Sequence, residues 1–542
     1  MHARRILFAG ALAFYPSLLL AQAPALPAEV RAAAEAISQE QVAWDLAYLA
    51  SDELGGRNTP SPGFDAAADY ITARLAKAGL KPGGDNGSFR QHYELHETRV
   101  DTNAASLEIG GERFAFGRDF AMRSLAGPLT GEFPVVYAGH GWVIRDRNID
   151  PYANLDVRGK LVLVHGPNTL PKGVEVQQLG RVFVNATPPF VAAAERGAAG
   201  IIFITRAADL IRWDELKNSN TVRRELEPAV PSAYAAVTIT SLLLAPPATT
   251  ALLEGEAITG PAAMRLGEPA DYPASFELKK KIRVRVPTSQ PTVYRPFNVV
   301  AILEGSDPKL KDEAITVFSH LDGAVGSREI AGDRVYNSAD DNASGSAAVL
   351  SIAEQMAAAP KPKRTIVFVW DSGEEQGLWG TRRFVHAPPI PLDRIVAHFN
   401  IDMIGASRRT GADSASSGVT ERNEVFLIGP RTLSAQASVL LNRVNDGYLK
   451  LKFNHQFDTP DSEFFYPRTD AGPFLERGIL PIGFTTGIHN RYHLPADEAR
   501  ALDPVQVHAI ARTVLASVWM LGNAAERPGI DQPLPRTVPK YR

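Results

Sequence analysis

The second half of the chain alternates short apolar runs with helix-like segments, and this alternation restricts the fold more than any other feature. From residue 298 onward the runs NVVAIL, AITVFS, TIVFVW and IVAHFNI have the length of strands, and segments such as GSAAVLSIAEQMAAA lie between them. Strands that are apolar throughout are buried on both faces. The pattern therefore predicts an α/β fold, with a β-sheet flanked by helices on both faces.

The rest of the chain predicts further domains, because 542 residues exceed the size of one ordinary core. Short β-rich runs such as KLVLVHG and AAGIIFIT, separated by turns, mark a compact module at residues 122–275. Residues 24–121 and 276–526 flank this module and are expected to form the other domain. Residues 527–542 are rich in proline and are expected to be an extended tail.

Residues 1–23 have the pattern of a secretory signal peptide: the basic start MHARR, the apolar run ILFAGALAFYPSLLL and the small residues AQA. Export is therefore predicted, to the periplasm or the outside of the cell. No later segment looks apolar over enough residues for a membrane span. The net charge of −3 offers no basic surface for nucleic acid. The chain has no cysteine, which excludes a thiol nucleophile and cysteine-bound zinc.

Acidic and imidazole residues follow several of the apolar runs directly or lie in the turns between them. SHLD follows AITVFS, DSGEEQG follows TIVFVW, FNIDM ends IVAHFNI, SADDNASG precedes a helix-like segment, and RYHLPAD lies near the C-terminus. In an open α/β sheet the strand ends share one rim, and ligands bind beyond them. We therefore expect His320, Glu374, Glu375 and Asp402 to converge at this rim.

Each of these motifs is weak alone. A single histidine after a strand is more often a hydrogen-bonded polar group, adjacent glutamates are usually solvated, and an Asp-rich turn often only caps a helix. Their occurrence together is more informative than any one of them, because imidazoles and carboxylates without thiolates suit zinc. Five ligands and a spare glutamate indicate two metal ions that share one carboxylate.

The order of these motifs resembles the M28 family of zinc peptidases, which includes secreted bacterial aminopeptidases, glutamate carboxypeptidase II and relatives of the glutaminyl cyclases. The resemblance covers most of the chain. ASDELGGRNTPSPG looks like the family's N-terminal segment, residues 298–525 look like its peptidase core, and the module between them resembles a protease-associated (PA) domain. It implies a zinc exopeptidase-like (phosphorylase/hydrolase-like) fold, in which a mixed β-sheet is flanked by helices.

Carried over residue by residue, the resemblance implies two zinc ions and their ligands. His320 and Asp402 would hold one zinc ion, and Glu375 and His493 the other. Asp341 would bridge the two. It is preferred over Asp340 because it stands three residues before a serine, as the bridging acid does in the family pattern.

The resemblance also implies the residues of catalysis. Glu374 would be the general base, and Tyr492 would help to stabilise the oxyanion. Asp322 would hydrogen-bond the far nitrogen of His320 and fix its tautomer. Asp497 is a weaker candidate for supporting the second histidine ligand.

Other residues leave alternatives open. His489 lies four residues before His493 and could compete with it as a ligand. His140, in the 122–275 module, is expected to be structural. Ala471 stands where a bulkier residue is common in the family, which leaves the substrate preference undetermined.

Taken together, these features predict an exported dizinc metallo-exopeptidase that acts on peptides. An aminopeptidase is favoured, because acidic groups near the metals could bind a free N-terminal ammonium. The alternatives are a carboxypeptidase, a glutaminyl cyclase-like enzyme with one zinc, or a catalytically inactive binding protein on the same fold. The sequence carries no signal for the oligomeric state.

Overall fold

The part of the molecule that can be described consists of eight segments. This computed structural model describes residues 26–166, 169–175, 186–230, 239–266, 272–326, 328–408, 418–460 and 469–534. The predicted signal peptide, residues 1–23, lies outside the described residues, as does the end of the predicted tail, residues 535–542.

The strands of the described residues are numbered in chain order. They are β1 (Lys81–Pro82), β2 (Arg90–His92), β3 (Glu94–Arg99), β4 (Ser106–Ile109), β5 (Glu112–Ala115), β6 (Phe120–Ser124), β7 (Leu129–Tyr137), β8 (Val143–Ile144), β9 (Leu161–His165), β10 (Ala186–Thr187), β11 (Gly200–Ile204), β12 (Val222–Glu227), β13 (Ser241–Leu244), β14 (Phe276–Val286), β15 (Thr292–Tyr294), β16 (Phe297–Leu303), β17 (Ala314–His320), β18 (Thr365–Asp371), β19 (Ile395–Ile401), β20 (Glu424–Ile428), β21 (Lys452–Asn454) and β22 (Leu480–Thr485).

The α-helices are numbered in the same way. They are α1 (Ala28–Glu35), α2 (Gln39–Leu49), α3 (Pro62–Lys77), α4 (Pro189–Glu195), α5 (Trp213–Leu216), α6 (Pro246–Leu253), α7 (Gly260–Arg265), α8 (Gly345–Ala358), α9 (Trp379–His386), α10 (Pro430–Leu433), α11 (Ala435–Asp446), α12 (Ala471–Glu476) and α13 (Pro504–Gly522).

The larger sheet carries the strands that the sequence predicted from residue 298 onward. Its order is β1-β16-β18-β17-β19-β22-β20-β21, and β2 also pairs with β16. The central neighbours β18, β17, β19 and β22 run parallel, whereas β16 and β20 pair antiparallel with β18 and β22. A mixed sheet flanked by helices is the predicted fold class, which is thereby confirmed.

Both faces of this sheet are buried, as its apolar strands predict. In β18, Ile366, Phe368 and Trp370 join a core that includes residues of α3, α8 and α13. Val367 and Val369 point to the opposite face and pack in a second core with residues of α9 and α12. The alternation follows the period of two along a strand. Function must therefore be sought at the strand ends, because both faces are covered.

The second large sheet has the order β5-β4-β14-β7-β9-β11-β13-β6. Its strands run from Ser106 to Val286, so they begin before and end after the predicted module at residues 122–275. β14 covers the segment FELKKKIRVRV, in which buried and exposed residues largely alternate, as expected of a half-exposed strand. The boundaries of the domains themselves stay a prediction.

A third, three-stranded sheet has the order β12-β3-β15. Its strands come from three distant parts of the chain: β3 precedes the second sheet in sequence, β12 lies between two of its strands, and β15 follows it. This small sheet therefore connects the chain segment of the second sheet with the segments on either side.

Of the described helices, α13 alone is long and apolar enough to cross a membrane by length and composition. Its composition therefore contradicts the prediction that no segment after the signal peptide is apolar enough to span a membrane. However, 67% of its apolar stretch is buried within the protein, where α13 packs against α8 and α2. That burial is typical of a core helix.

Candidate metal centre and active site

The ends of three neighbouring strands bring the predicted site residues together. His320 is the last residue of β17, Asp402 directly follows β19, and the pair Glu374–Glu375 follows β18. β17 lies between β18 and β19 and runs parallel to both. These side chains therefore meet at one rim of the sheet, as the sequence predicted.

The first group of possible ligands surrounds His320. Its Nε2 lies 3.1 Å from Oδ1 of Asp341 and 3.4 Å from Oδ1 of Asp402. One ligand atom from each of these three residues lies within 4.8 Å of the other two. An arrangement of one imidazole and two carboxylates this close is suited to a divalent cation.

The second group lies on the other side of Asp341. Nε2 of His493 is 3.0 Å from Oδ2 of Asp341 and 3.0 Å from Oε2 of Glu375. These three residues also place one ligand atom each within 4.8 Å of one another. The two oxygens of Asp341 therefore face different histidines, one in each group.

The position of Asp341 depends on a wide helical turn, Ala339–Ser344, that precedes α8. Asn342 holds this turn against β19, because its Nδ2 donates to the carbonyl of Ile401 at 2.9 Å. A Cβ on Gly345 would lie only 2.3 Å from that same carbonyl oxygen. Glycine is thus required where the helix approaches the strand end.

The donor atoms of the two groups fit zinc. Among the described residues, Nε2 of His320, Nε2 of His493, Oε1 of Glu375 and Oδ1 of Asp402 are buried without a hydrogen-bond partner. Buried polar atoms in folded proteins are normally satisfied, so unsatisfied ones that converge on one point are suited to hold a cation. Nitrogen and oxygen donors without a thiolate match the preferences of zinc.

The pKa shifts of the residues in the two groups also indicate a cation site. Burial raises the pKa of Glu375 to about 8, and the charge of Asp341 adds to this shift. Burial also raises the pKa of Asp402. Burial alone would lower the pKa of His493, but the carboxylates of Asp341 and Glu375, each 3.0 Å from its Nε2, raise it to about 10. The site thus holds an excess of negative charge that cations would neutralise.

Glu374 lies beside the two groups but belongs to neither. Burial raises its pKa well above the usual range, and the neighbouring carboxylate of Glu375 contributes to the shift. Tyr492 stacks on the imidazole of His493, with ring centroids 3.7 Å apart. Burial and the nearby carboxylates raise the pKa of Tyr492, so its hydroxyl keeps its proton and can donate it in a hydrogen bond.

A small cavity opens beside Glu374. It has a volume of about 60 Å³. Its described lining combines carboxylates with apolar and hydroxyl side chains: Asp341, Glu374, Asn400, Asp402, Met403, Ile428, Thr469, Gly483, Phe484, Thr485, Ile488 and Tyr492. None of these lining residues is basic. Ala471 begins α12, is buried, and is absent from the described lining.

Asp322 contacts the far nitrogen of His320 through its main-chain carbonyl and not through its carboxylate. Nδ1 of His320 lies 3.0 Å from the main-chain carbonyl of Asp322, whereas the carboxylate is 4.0 Å away. The carboxylate instead accepts from the amides of Glu374 at 3.2 Å and Glu375 at 3.4 Å. Since a carbonyl only accepts, Nδ1 carries the hydrogen and Nε2 is left to face the acids.

The structure also separates the alternatives that the sequence left open. The carboxylate of Asp340 accepts from the amide of Gly405 at 2.6 Å and lies 3.2 Å from Nε2 of His489. Asp340 and His489 therefore contact each other outside the two metal-ligand groups. Asp497 does not support His493; its carboxylate accepts from the amides of Asp340 and Asp341.

His140, which was expected to be structural, belongs to neither ligand group. It lies between β7 and β8 of the 122–275 module, where its Nδ1 accepts from the amide of Trp142 at 3.0 Å.

Sequence reasoning missed Arg57, which is fully buried beneath the site. Its guanidinium donates to the carbonyls of Leu321 at 2.8 Å, Asn337 at 2.9 Å and Ser338 at 2.9 Å, and also to that of Leu49. Burial lowers the pKa of Arg57 to about 10. It joins the loop after His320 to the segment that leads to Asp341. No local pattern in GGRNTP indicates such a role.

The comparisons with known proteins agree with this geometry. Residues 298–518 match the sequence model of Peptidase family M28. An aminopeptidase of Pseudomonas aeruginosa is 24% identical over 450 residues, which cover 82% of this chain and 69% of that protein.

Two solved structures share the fold. The aminopeptidase from Aneurinibacillus sp. strain AM-1 aligns with a TM-score of 0.54 and 17% identity, over 93% of this chain and 99% of that one. BSAP, a zinc aminopeptidase from Bacillus subtilis, aligns with a TM-score of 0.50 and 16% identity, over 92% of this chain and 99% of that one. The expectation of an M28 family domain is confirmed for residues 298–518, the part of the chain that the family model matches.

Proposed function

We propose that this chain is an exported aminopeptidase with two zinc ions, which removes N-terminal residues from peptides. The observation that carries this proposal is the pair of ligand groups that share Asp341, with the half-buried Glu374 beside them. The relatives compared above bear the name aminopeptidase, which favours the same activity.

The proposed ligands follow the two groups. His320 and Asp402 would hold one zinc ion, Glu375 and His493 the other, and Asp341 both. Zinc bound there would polarise the scissile carbonyl and lower the pKa of the attacking water.

The protein's own side chains would carry the proton. Glu374 is proposed to accept a proton from the attacking water and to deliver it to the leaving amine, and its raised pKa suits a group that must do both. The hydroxyl of Tyr492 would donate a hydrogen bond to the carbonyl oxygen as that oxygen gains negative charge.

The cavity supports an aminopeptidase over a carboxypeptidase. A substrate amino terminus is a cation, and the carboxylate of Glu374, which belongs to neither ligand group, lines the cavity. A carboxypeptidase must instead bind a C-terminal carboxylate, and the described lining offers it no lysine or arginine. The apolar part of the lining, which includes Met403 and Phe484, is suited to an uncharged substrate side chain.

We further propose that residues 1–23 direct export and are removed, and that the β-rich module predicted at residues 122–275 is a PA-like insertion. The tripartite pattern of the N-terminus supports the first proposal. N-terminal sequencing of the exported protein tests it, and a mature chain that begins near residue 24 is the expected result.

The activity is tested with one peptide in three forms: free, N-acetylated and C-amidated. Products are identified by mass spectrometry with the native enzyme, after chelation, and after zinc is added back. We expect stepwise loss from the free N-terminus, blocked by acetylation and by the chelator and restored by zinc. Cleavage that ignores acetylation but fails on the amidated peptide would make the enzyme a carboxypeptidase. Absence of any cleavage by the zinc-loaded protein would contradict the proposal.

A further inference from the structure

The three-stranded sheet packs directly against the chain segment that carries the two adjacent glutamates. Leu95 of β3 and Leu226 of β12 form an apolar cluster with Val230 and with Trp379, the first residue of α9. Tyr93 belongs to the same cluster, and its hydroxyl lies 2.8 Å from the hydroxyl of Ser372. One face of the small sheet is therefore fixed against both ends of the Glu374–Glu375 turn.

A buried glutamate orders the polar side of this contact. The side chain of Glu97, in β3, is only 1% exposed, and it accepts from Nε of Arg99 and from Nε of Arg224, each at 2.7 Å. Burial opposes the charge of Glu97, but the two guanidiniums hold its pKa below the usual range. Arg224 is thus held in a single orientation on β12.

Arg224 uses its remaining nitrogens to reach the turn. Its Nη1 donates to Oε1 of Gln376 at 2.6 Å. Nε2 of Gln376 in turn donates to the carbonyl of Thr59 at 2.8 Å, so both ends of the amide are bonded. Gln376 directly follows Glu375, and its two bonds therefore anchor the side of the turn that is farther from the end of β18.

We propose that Arg224 is a positioning residue for the Glu374–Glu375 turn, acting through Gln376. On the side of the larger sheet, the carboxylate of Asp322 accepts hydrogen bonds from the amides of the turn. Arg224 holds the same turn from the small sheet, whose strand β12 belongs to the segment between β11 and β13 of the second sheet. The proposal rests on the proposed roles of Glu374 and Glu375. It gives the module predicted at residues 122–275, which contains β12, a part in positioning the proposed catalytic residues.

The chain offers a matched control on the same strand. The side chains of Arg223 and Arg224 are each 29% exposed and each pairs with a glutamate. Adjacent residues of a strand point to opposite faces. Arg223 accordingly contacts Glu225 and the carbonyl of Ala126, both distant in sequence from the turn. Replacing either arginine with methionine removes the same charge and the same guanidinium donors, and it leaves an apolar stem in each case.

The experiment compares the full-length variants Arg224→Met, Gln376→Leu, their combination, and Arg223→Met. Zinc affinity is measured by competition with a chromogenic chelator, and kcat and KM are measured on a peptide. We expect Arg224→Met and Gln376→Leu each to lower zinc affinity or kcat by about 10- to 100-fold, the usual effect of losing an outer partner of a metal ligand. KM should change little. The double variant should lose no more than either single one, because the two residues act as one unit.

Arg223→Met should stay within about twofold of the wild type in both measurements. If Arg224→Met matches the wild type, or if Arg223→Met is impaired to the same extent, the positioning role is wrong. Additive losses in the double variant would also contradict it. If the wild-type chain cleaves no peptide, the aminopeptidase proposal fails, whereas the zinc-affinity comparison still decides the role of Arg224.

Discussion

Two histidines end buried parallel strands in the two large sheets, and their surroundings give them opposite charge behaviour. His320 ends β17 and His165 ends β9, and each is 1% exposed. Burial lowers the pKa of His165 to about 4. Burial acts on His320 as well, but the carboxylates of Glu374, Asp341 and Asp402 hold its pKa well above the ordinary value.

The comparison teaches that a histidine at a strand end is not in itself a functional signal. KLVLVHG and AITVFSHLD both run from an apolar strand into an imidazole. In the second sheet His165 meets neutral aromatic groups: its Nε2 lies 2.8 Å from the hydroxyl of Tyr137, and its ring lies 4.9 Å from that of Tyr272. What distinguishes His320 is the set of acids that converge from distant parts of the chain.

The largest expected effect comes from removing the acid that the two ligand groups share. Asp341→Ala should lose both zinc ions and, with them, peptide hydrolysis, because each group keeps only one carboxylate and one imidazole. Zinc per chain is measured by atomic emission after dialysis. His165→Ala is the matched control and should keep its zinc. Full zinc content in Asp341→Ala would show that this carboxylate is not a shared ligand.

Glu374→Gln should separate the carboxylates that bind metal from the one that moves the proton. We expect normal zinc content and an unchanged melting temperature, with kcat reduced by about 10²- to 10⁴-fold, the usual contribution of a general base. The amide keeps the size of the side chain but cannot accept the proton. Turnover close to that of the wild type would remove Glu374 from the proposed mechanism.

Much of the fold and of the site follows from the sequence, because strand-length apolar runs fix where side chains emerge. His320 and Asp402 stand at the ends of such runs, so neighbouring parallel strands had to bring them close. The preference for Asp341 over Asp340 came from the family pattern alone. In the structure the two adjacent carboxylates diverge, and Asp340 turns to Gly405 and His489.

The hydrogen-bond partners of the site residues could not be predicted from the sequence, because they depend on where the backbone carbonyls and amides point. Asp322 was expected to bond the imidazole of His320; it does so through its main chain, and its carboxylate accepts the amides of the Glu374–Glu375 turn. The bonds of Arg57 and Arg224 join segments more than 100 residues apart. No periodicity or spacing along the chain encodes such contacts.

Arg57→Met tests whether a buried arginine beneath the site also maintains the metal. Arg364 is the control, since its side chain is 1% exposed and it too donates to main-chain carbonyls, those of Ala524 and Glu526. Arg57→Met should lower the free energy of unfolding by about 3 kcal/mol, because buried carbonyls lose their donor. Arg364→Met should lower it by less, because its carbonyl partners are only partly buried. Only Arg57→Met should also weaken zinc binding, by about tenfold. Equal zinc affinities in the two variants would make Arg57 a purely structural residue.

The smallest expected effect is a pH dependence confined to the second sheet. The pKa of His165 is about 4 in the folded protein and about 6.5 in an unfolded chain. Between these values the unfolded state binds more protons, so the stability of this region should fall as the pH drops from 6.5 towards 4. Lowering the pH from 7 to 5.5 should cost about 1 kcal/mol. His165→Gln, which cannot titrate but keeps a polar partner for Tyr137, should remove the part of this loss that His165 causes. The part that comes from His140, whose pKa burial also lowers to about 4, should remain. The loss of stability is measured by hydrogen exchange of β9 and β11 in the wild type and in His165→Gln at each pH. An equal pH dependence in both would mean that His165 is not held neutral by burial, and the contrast with His320 would disappear.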